Sequence, residues 1–302
     1  MLFNINDSVF EYTGKMPTNS YHKYCKNIYS QNGEDGILEQ LLNELSISSG
    51  SFCEFGASDG VNSSNTRNLI EQRGFYGLYI EPENSFSSLL ENTKQFNRIT
   101  CINDIVSHEN TNKSLETYID AAKLPRDFDV LSIDVDSYDY QIWEKFTYNP
   151  KIVVIEVNSY RDPIVTELNG IPQTEMNIDI LKKTKPERIA CGTSFLPIIT
   201  LGLKKGYIPV SFTGNIIFIR KDLISFIKEF PIKISSDPYD YLYLYGNLSL
   251  WENKWYSCGI LLFNTAVRNY YLTFKKTFID LSWIYNHIET YGVELWNYEN
   301  NL

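Results

Sequence analysis

Between residues 51 and 220 short apolar runs alternate with longer segments compatible with helix, and this alternation constrains the fold more than any other feature of the chain. The runs are rich in Val, Ile and aromatic residues, as strands buried on both faces are. They predict strands over 51–56, 77–81, 98–102, 129–134, 152–156, 207–211 and 215–219, with helices over 34–45, 65–71, 85–95, 112–122, 140–146 and 195–205. Strands that alternate with helices imply a parallel sheet with helices on both faces. The last two strands are joined only by Phe212-Thr213-Gly214, a hairpin-length link that makes them antiparallel neighbours. The expected architecture is α/β: a mostly parallel seven-strand sheet with an antiparallel final strand.

Charge narrows the function. The 27 Lys and Arg against 37 Asp and Glu leave a formal charge of −10, which opposes binding along a phosphate backbone, so no nucleic-acid partner is expected. The opening MLFNINDSVFEYTGKM lacks a basic start followed by an apolar stretch, and no apolar run reaches the ~20 residues of a membrane span. A cytoplasmic protein is the expectation. Cys25, Cys53, Cys101, Cys191 and Cys258 are scattered and without C-x-x-C spacing, and the histidines are His22, His108 and His287 alone. Disulfide frameworks, zinc knuckles and a Ser-His-Asp triad are therefore disfavoured. Chemistry on this chain runs on carboxylates, amides and a cofactor.

Ser51-Phe-Cys-Glu54-Phe-Gly56-Ala-Ser-Asp-Gly60 takes an apolar strand into an acid and two glycines, with a helix starting near Asn65. Glycines at 56 and 60 let the backbone turn sharply and approach a ligand closely. Ser58 and Val61 stand where a dinucleotide fingerprint needs glycine, so a pyrophosphate cradle is disfavoured. E-x-G-x-x-x-G is instead similar to the loop after the first strand of class I S-adenosylmethionine-dependent methyltransferases, where the acid sits near the amino-acid end of the cofactor. The second strand ends in Glu81, about 20 residues past the glycine loop, where a carboxylate takes ribose hydroxyls. The third ends at Asn103 and Asp104, which either hold an adenine or form a solvated turn.

The run Tyr29-Ser-Gln31-Asn-Gly-Glu34-Asp35-Gly-Ile37, then EFGASDGVNSSNT, GLYIEPE, LSIDVDSYDYQIWEKF, VVIEVN and KKGYIPVSFTGNIIFIRKDL, resembles the FkbM-type methyltransferase family over about residues 29–222. The resemblance implies a Rossmann-like class I methyltransferase fold, S-adenosylmethionine as donor, and O-methylation of a hydroxylated acceptor, often a sugar, glycan or nucleotide-sugar. It divides the chain into an N-terminal segment (1–28), a methyltransferase domain (29–230) and an aromatic-rich extension (231–302). Gln31, Glu34 and Asp35 either close over the cofactor and acceptor or simply start a helix, with Asn32 as its cap. The candidate cofactor contacts are Gln31, Glu54, Gly56, Gly60, Asn65, Glu81, Asn103, Asp104 and Asp134.

Carboxylates gather after strands four and five, as Asp134-Val-Asp136 and Glu156-Val-Asn158. The carboxyl edge of an open α/β sheet is where ligands bind, and acids at adjacent strand ends are costly unless neutralised. Asp134, Glu156 and Asn158 are candidate ligands for a divalent metal such as Mg, in a pattern similar to catechol-type O-methyltransferases but without their adjacent Asp-Asn pair. Alternatively Asp134 or Asp136 is the general base, with no metal. The bland reading has these acids capping the next helix or pairing with Arg161. His108 is expected to be an exposed loop residue. Two other classes stay open: a nucleotide-sugar glycosyltransferase using Asp134 and Asp136 as a metal-binding D-x-D, and a non-catalytic interaction module. In the extension Tyr239, Tyr241, Tyr243 and Tyr245 alternate with period two, followed by helices expected over 267–278 and 279–291. This region serves as a homo-oligomer interface or as a sugar-stacking wall.

Overall fold

The computed structural model describes residues 21–158 and 192–228, together with Pro238 and Tyr241. Arg161, His287, most of the alternating tyrosines and the helices expected over 267–278 and 279–291 lie outside the described residues.

Seven strands form one sheet: β1 (Ser51–Phe55), β2 (Tyr76–Ile80), β3 (Ile99–Ile102), β4 (Val130–Ile133), β5 (Ile152–Glu156), β6 (Tyr207–Phe212) and β7 (Asn215–Arg220), in the spatial order β3-β2-β1-β4-β5-β7-β6. Strands β1 to β5 are mutually parallel, and β7 is inserted antiparallel between β5 and β6. This is the Rossmann-like class I methyltransferase arrangement, with the order reversing at β1 and β4, where such sheets open a crevice. The reversed strand is last in sequence but second from the edge in space, because the short hairpin folds β7 back beside β5.

Among the described residues six α-helices accompany the sheet: α1 (Glu34–Glu44), α2 (Arg67–Arg73), α3 (Glu83–Thr93), α4 (Leu115–Ala121), α5 (Asp139–Lys145) and α6 (Phe195–Lys204). The central strands bury every residue from Val130 to Ile133 and from Ile152 to Ile155, which is why they read as unbroken apolar runs. Trp143 of α5 packs against Tyr207 of β6 and Phe218 of β7, with ring centroids 5.9 and 5.1 Å apart, and so fixes the helix over the antiparallel end. No helix among the described residues is long and apolar enough to cross a membrane.

Helix α1 starts at Glu34 as expected but with a different cap, and two further helices start elsewhere than the sequence suggests. The N-cap of α1 is Gly33, at φ 100° and without a side-chain cap, so Asn32 does not cap it. Helix α2 begins at Arg67 rather than at residue 65 because Ser64, Asn65 and Thr66 are all bound to Glu54. The helix expected over 112–122 divides into a 3-10 turn, Thr111–Lys113, and α4, with Ser114 between them capping the Thr117 N–H at 3.3 Å.

Register positions the site. Phe55 pairs with Ile80 and with Ile133, and Ile133 pairs with Ile155. The next residues along these four strands, Gly56, Glu81, Asp134 and Glu156, therefore reach the carboxyl edge at one level.

Candidate active site

A cavity of about 570 Å³ opens at this edge, and Gln31, Glu54, Gly56, Glu81, Asp104, Asp134 and Asp136 all line it. Its remaining wall comes from the turn after β1, from Ile80, Pro82 and Asn84 after β2, and from Ile105 and Val106 after β3. Gly60, Asn65, Asn103, Glu156 and Asn158 are not among its lining residues.

The glycine loop owes its glycines to the protein's own packing. Gly56 has φ +74°, and a Cβ there would lie 1.6 Å from the carbonyl oxygen of Asp134. The close approach that the missing Cβ permits is to the Asp134 carbonyl just after β4, while Gly56 also lines the cavity. Gly60, at φ +70°, turns the loop against α3, where a Cβ would lie 2.6 Å from Leu89 Cδ1. Ser58 and Ser63 also adopt positive φ, at 49° and 64°. Such conformations persist in residues with a Cβ only when neighbouring contacts impose them.

Ser58 is held by the Glu81 carboxylate, and the three residues that follow Ser63 are held by Glu54. Glu54 Oε1 accepts from the Asn65 N–H at 2.9 Å, and its Oε2 accepts from Ser64 Oγ at 2.8 Å and Thr66 Oγ1 at 2.5 Å. Burial pushes the Glu54 carboxyl up, against the opposing pull of these donors. Asn65 donates its side-chain amide to Ser132 Oγ at 3.1 Å, so it ties the loop to β4. Serine and threonine 10 to 12 residues past an acid are the signal that the sequence reading passed over.

Glu81 ends β2 with one carboxylate oxygen committed: Oε2 accepts from the Ser58 N–H at 2.8 Å. Burial raises its carboxyl above the usual range, and the Ser58 bond works the other way. Asp104 accepts from the Ile105 N–H at 2.8 Å and pairs with Lys113 at 2.5 Å. Partial burial opposes ionisation there, but Lys113 and the Ile105 N–H prevail and hold Asp104 below the usual range. Asn103 is exposed. The turn and the cavity wall expected as alternatives for Asp104 thus coexist.

After β4 and β5, Asp134, Asp136 and Glu156 bring carboxylate oxygens within 4.8 Å of one another. The D-x-D pair and the acid of β5 therefore form one cluster, and Asp136 is its third carboxylate. Asn158 follows two residues on, its backbone N–H donating to the Thr193 carbonyl at 3.0 Å. Burial, and then repulsion from Asp136 and Asp139, hold Asp134 well above the usual carboxylate range; burial and Asp134 itself do the same for Glu156. The two carboxyl groups repel each other in their ionised forms, so each makes the other harder to ionise. Asp136 sits at φ 59°, a strained conformation for an aspartate.

Asp139, which the sequence reading did not single out, fixes this turn. It is buried and accepts from the backbone N–H of Val135 at 2.8 Å and of Ser137 at 3.1 Å. Burial and the nearby Asp136 push its carboxyl up to about 6. His108 is half-buried against Tyr138, with ring centroids 4.6 Å apart, and is not a lining residue of the cavity.

On the opposite wall Gln31 is exposed and lines the cavity, whereas Glu34 and Asp35 are buried. Glu34 accepts from Thr213 Oγ1 at 2.7 Å and from Asn215 Nδ2 at 3.0 Å, which joins the start of α1 to the β6–β7 hairpin.

No protein-family model matches the chain, and no curated protein matches it. Similar solved structures include the pyocyanin biosynthetic protein PhzM, at 12% identity over 61% of this chain and 54% of that one, with a TM-score of 0.35. CalO1, a methyltransferase of calicheamicin biosynthesis solved in its SAH-bound form, is 15% identical over 60% of this chain and 53% of its own, with a TM-score of 0.34. An O-methyltransferase family 2 protein from Planctomyces limnophilus, solved with apigenin, is 10% identical over 57% and 51%, with a TM-score of 0.36. The chain spans about half the length of these structures.

Proposed function

We propose that this chain is an S-adenosylmethionine-dependent O-methyltransferase of the FkbM type, acting on a hydroxyl of a sugar or glycan. One observation carries the reading: a cavity at the sheet's reversal point with the glycine turn, Glu81 and Asp134 on its rim. Its size falls within the roughly 300–1,000 Å³ of small-molecule sites. Its charge also suits the donor, since Glu54, Glu81, Asp104, Asp134 and Asp136 contribute carboxylates and, among the described residues, no Lys, Arg or His lines it. Such a wall favours a cation such as a sulfonium and disfavours free phosphates. The same feature weighs against a nucleotide-sugar glycosyltransferase, whose diphosphate would meet five acids.

Glu81 would hold the ribose hydroxyls with Oε1 and the remaining lone pair of Oε2. Ile80, Ile105 and Val106 offer the apolar shelf for an adenine, and Gln31 and the Gly56 turn face the amino-acid end. When bound, the donor supplies an electrophilic methyl group. The chain's own task is to orient an acceptor oxygen and remove one proton. Asp134 suits that task, because a raised carboxyl affinity for protons brings it closer to a general base. Asp134, Asp136 and Glu156 also fit a divalent cation, whose charge would relieve the repulsion among these carboxylates. Such an ion would lower the pKa of a coordinated hydroxyl.

The test is calorimetry followed by turnover. The purified chain should bind S-adenosylmethionine and S-adenosylhomocysteine and should methylate a hydroxylated sugar acceptor, faster with Mg²⁺ if the acid cluster holds a metal. Binding of a UDP- or GDP-sugar in preference to the sulfonium compound would replace this reading with the glycosyltransferase. Donor binding without turnover on any hydroxylated acceptor would favour an interaction module.

A further inference from the structure

The two acids of the motif before β1 are buried, Glu34 at 0% and Asp35 at 1% exposure. A helix start does not require this. Acids in a first turn favour the helix dipole from the surface equally well, whereas burying a carboxylate is costly unless hydrogen bonds offset it, and in Asp35 that falls to Oδ2 alone, Oδ1 having no partner among the described residues. Helix α1 moreover has no side-chain cap, so both carboxylates reach out of the helix to something else.

They reach the segment 28–33. Asp35 Oδ2 accepts from the backbone N–H groups of Ile28, Tyr29 and Ser30, at 2.8, 2.7 and 2.8 Å. Glu34 Oε2 accepts from the Asn32 N–H at 2.8 Å, and Asn27 Oδ1 accepts from the Gly33 N–H at 2.5 Å. Among the described residues the N–H of Gln31 alone in this run has no acceptor, although its carbonyl is held by Asn27 Nδ2 at 2.8 Å. Gln31 is also the residue of the run that lines the cavity. The strap is pinned at two further points. Tyr29 Oη donates to Glu71 of α2 at 2.7 Å, and Glu34 Oε1 binds Thr213 and Asn215, the latter paired with Glu156 across β5 and β7.

We propose that Glu34 and Asp35 are positioning residues, which hold segment 28–33 as a rigid strap so that Gln31 meets the bound methyl donor, and which act on the donor only through Gln31. The proposal rests on the donor reading above and deepens it. A strap whose amides are already satisfied loses little conformational freedom when the ligand arrives, so the affinity of the Gln31 contact is not spent on ordering the loop.

Amide hydrogen exchange on the free full-length chain tests the rigidity without a ligand. The N–H groups of Ile28, Tyr29, Ser30, Asn32 and Gly33 should exchange at least about a hundredfold more slowly than that of Gln31. Equal rates across the run would overturn the proposal. Calorimetry with S-adenosylhomocysteine tests the coupling. Asp35→Ala should weaken binding about tenfold, Asp35→Asn should restore most of it by keeping an acceptor oxygen, and Asp35→Ala in a Gln31→Ala background should cost less than about twofold. An equal loss in both backgrounds would mean that Asp35 acts on the fold at large, and the proposal fails while the donor reading stands. If the wild-type chain binds no S-adenosylhomocysteine, the donor reading fails and the proposal falls with it.

Discussion

The carbonyl oxygen of Asp134 occupies the space that a Cβ at Gly56 would need, 1.6 Å from where that atom would be. The first loop and the candidate base are therefore built against each other, and the site's two halves cannot shift independently.

Gly56→Ala should cost about 3 kcal/mol or more, because it adds overpacking against immovable backbone to a left-handed conformation at φ +74°. Gly74→Ala is the control: it has φ +61° but nothing within 4 Å of its added Cβ, and should cost only about 1–2 kcal/mol. Urea unfolding of both variants checks this. Equal costs would remove the contact with Asp134 from the account.

Glu54→Ala should destabilise the fold by about 2–4 kcal/mol, since it strands the buried donors of Ser64, Asn65 and Thr66. Glu54→Gln, which keeps an acceptor oxygen, should cost less. Chemical denaturation of the two proteins side by side reads the difference.

The acids of the β4 turn set a pH dependence. Asp139 is raised to about 6 from an ordinary 3.8, and burial and mutual repulsion also raise Asp134 and Glu156, so at these groups the folded chain binds more protons than the unfolded one above about pH 4. Stability from these groups is present at low pH and is lost as pH rises through the folded values. The lowered acids Asp59, Glu71, Asp104 and Asp222 act the other way, but only as pH falls below the ordinary carboxylate range. Thermal melting without divalent ions should therefore give a higher midpoint at pH 5.5 than at pH 7.5, and Asp134→Asn should flatten the difference. Millimolar Mg²⁺ should raise the midpoint at pH 7.5 more than at pH 5.5. A midpoint that climbs steadily with pH in both proteins would contradict the clustered acids.

What the sequence disclosed follows from where the information lies. The sheet was legible because buried parallel strands are unbroken apolar runs, and Phe212-Thr213-Gly214 is too short for anything but a hairpin. That Gly56, Glu81 and Asp134 meet at one cavity was legible because strand ends share the carboxyl edge in this architecture. What each residue touches was not. Asn65 reads as a loop amide, yet it faces Ser132, 67 positions away; Glu34 reads as a helix-start acid, yet it binds Thr213, 179 positions away. Such long-range pairings leave no local pattern. Asp136 joining Glu156 was equally hidden, because it depends on β4 and β5 being neighbours in register and on a positive φ at an aspartate.

In the proposed reaction the crevice beside Gly56 receives a sulfonium donor gripped by Glu81. Titration of the full chain with S-adenosylmethionine, alongside its Glu81→Ala variant, tests it most directly. Saturable one-to-one binding by the wild type, weakened about tenfold or more in the variant while the melting curve stays cooperative, is the expected result. No heat of binding in the wild type, or equal affinity in both proteins, would contradict it.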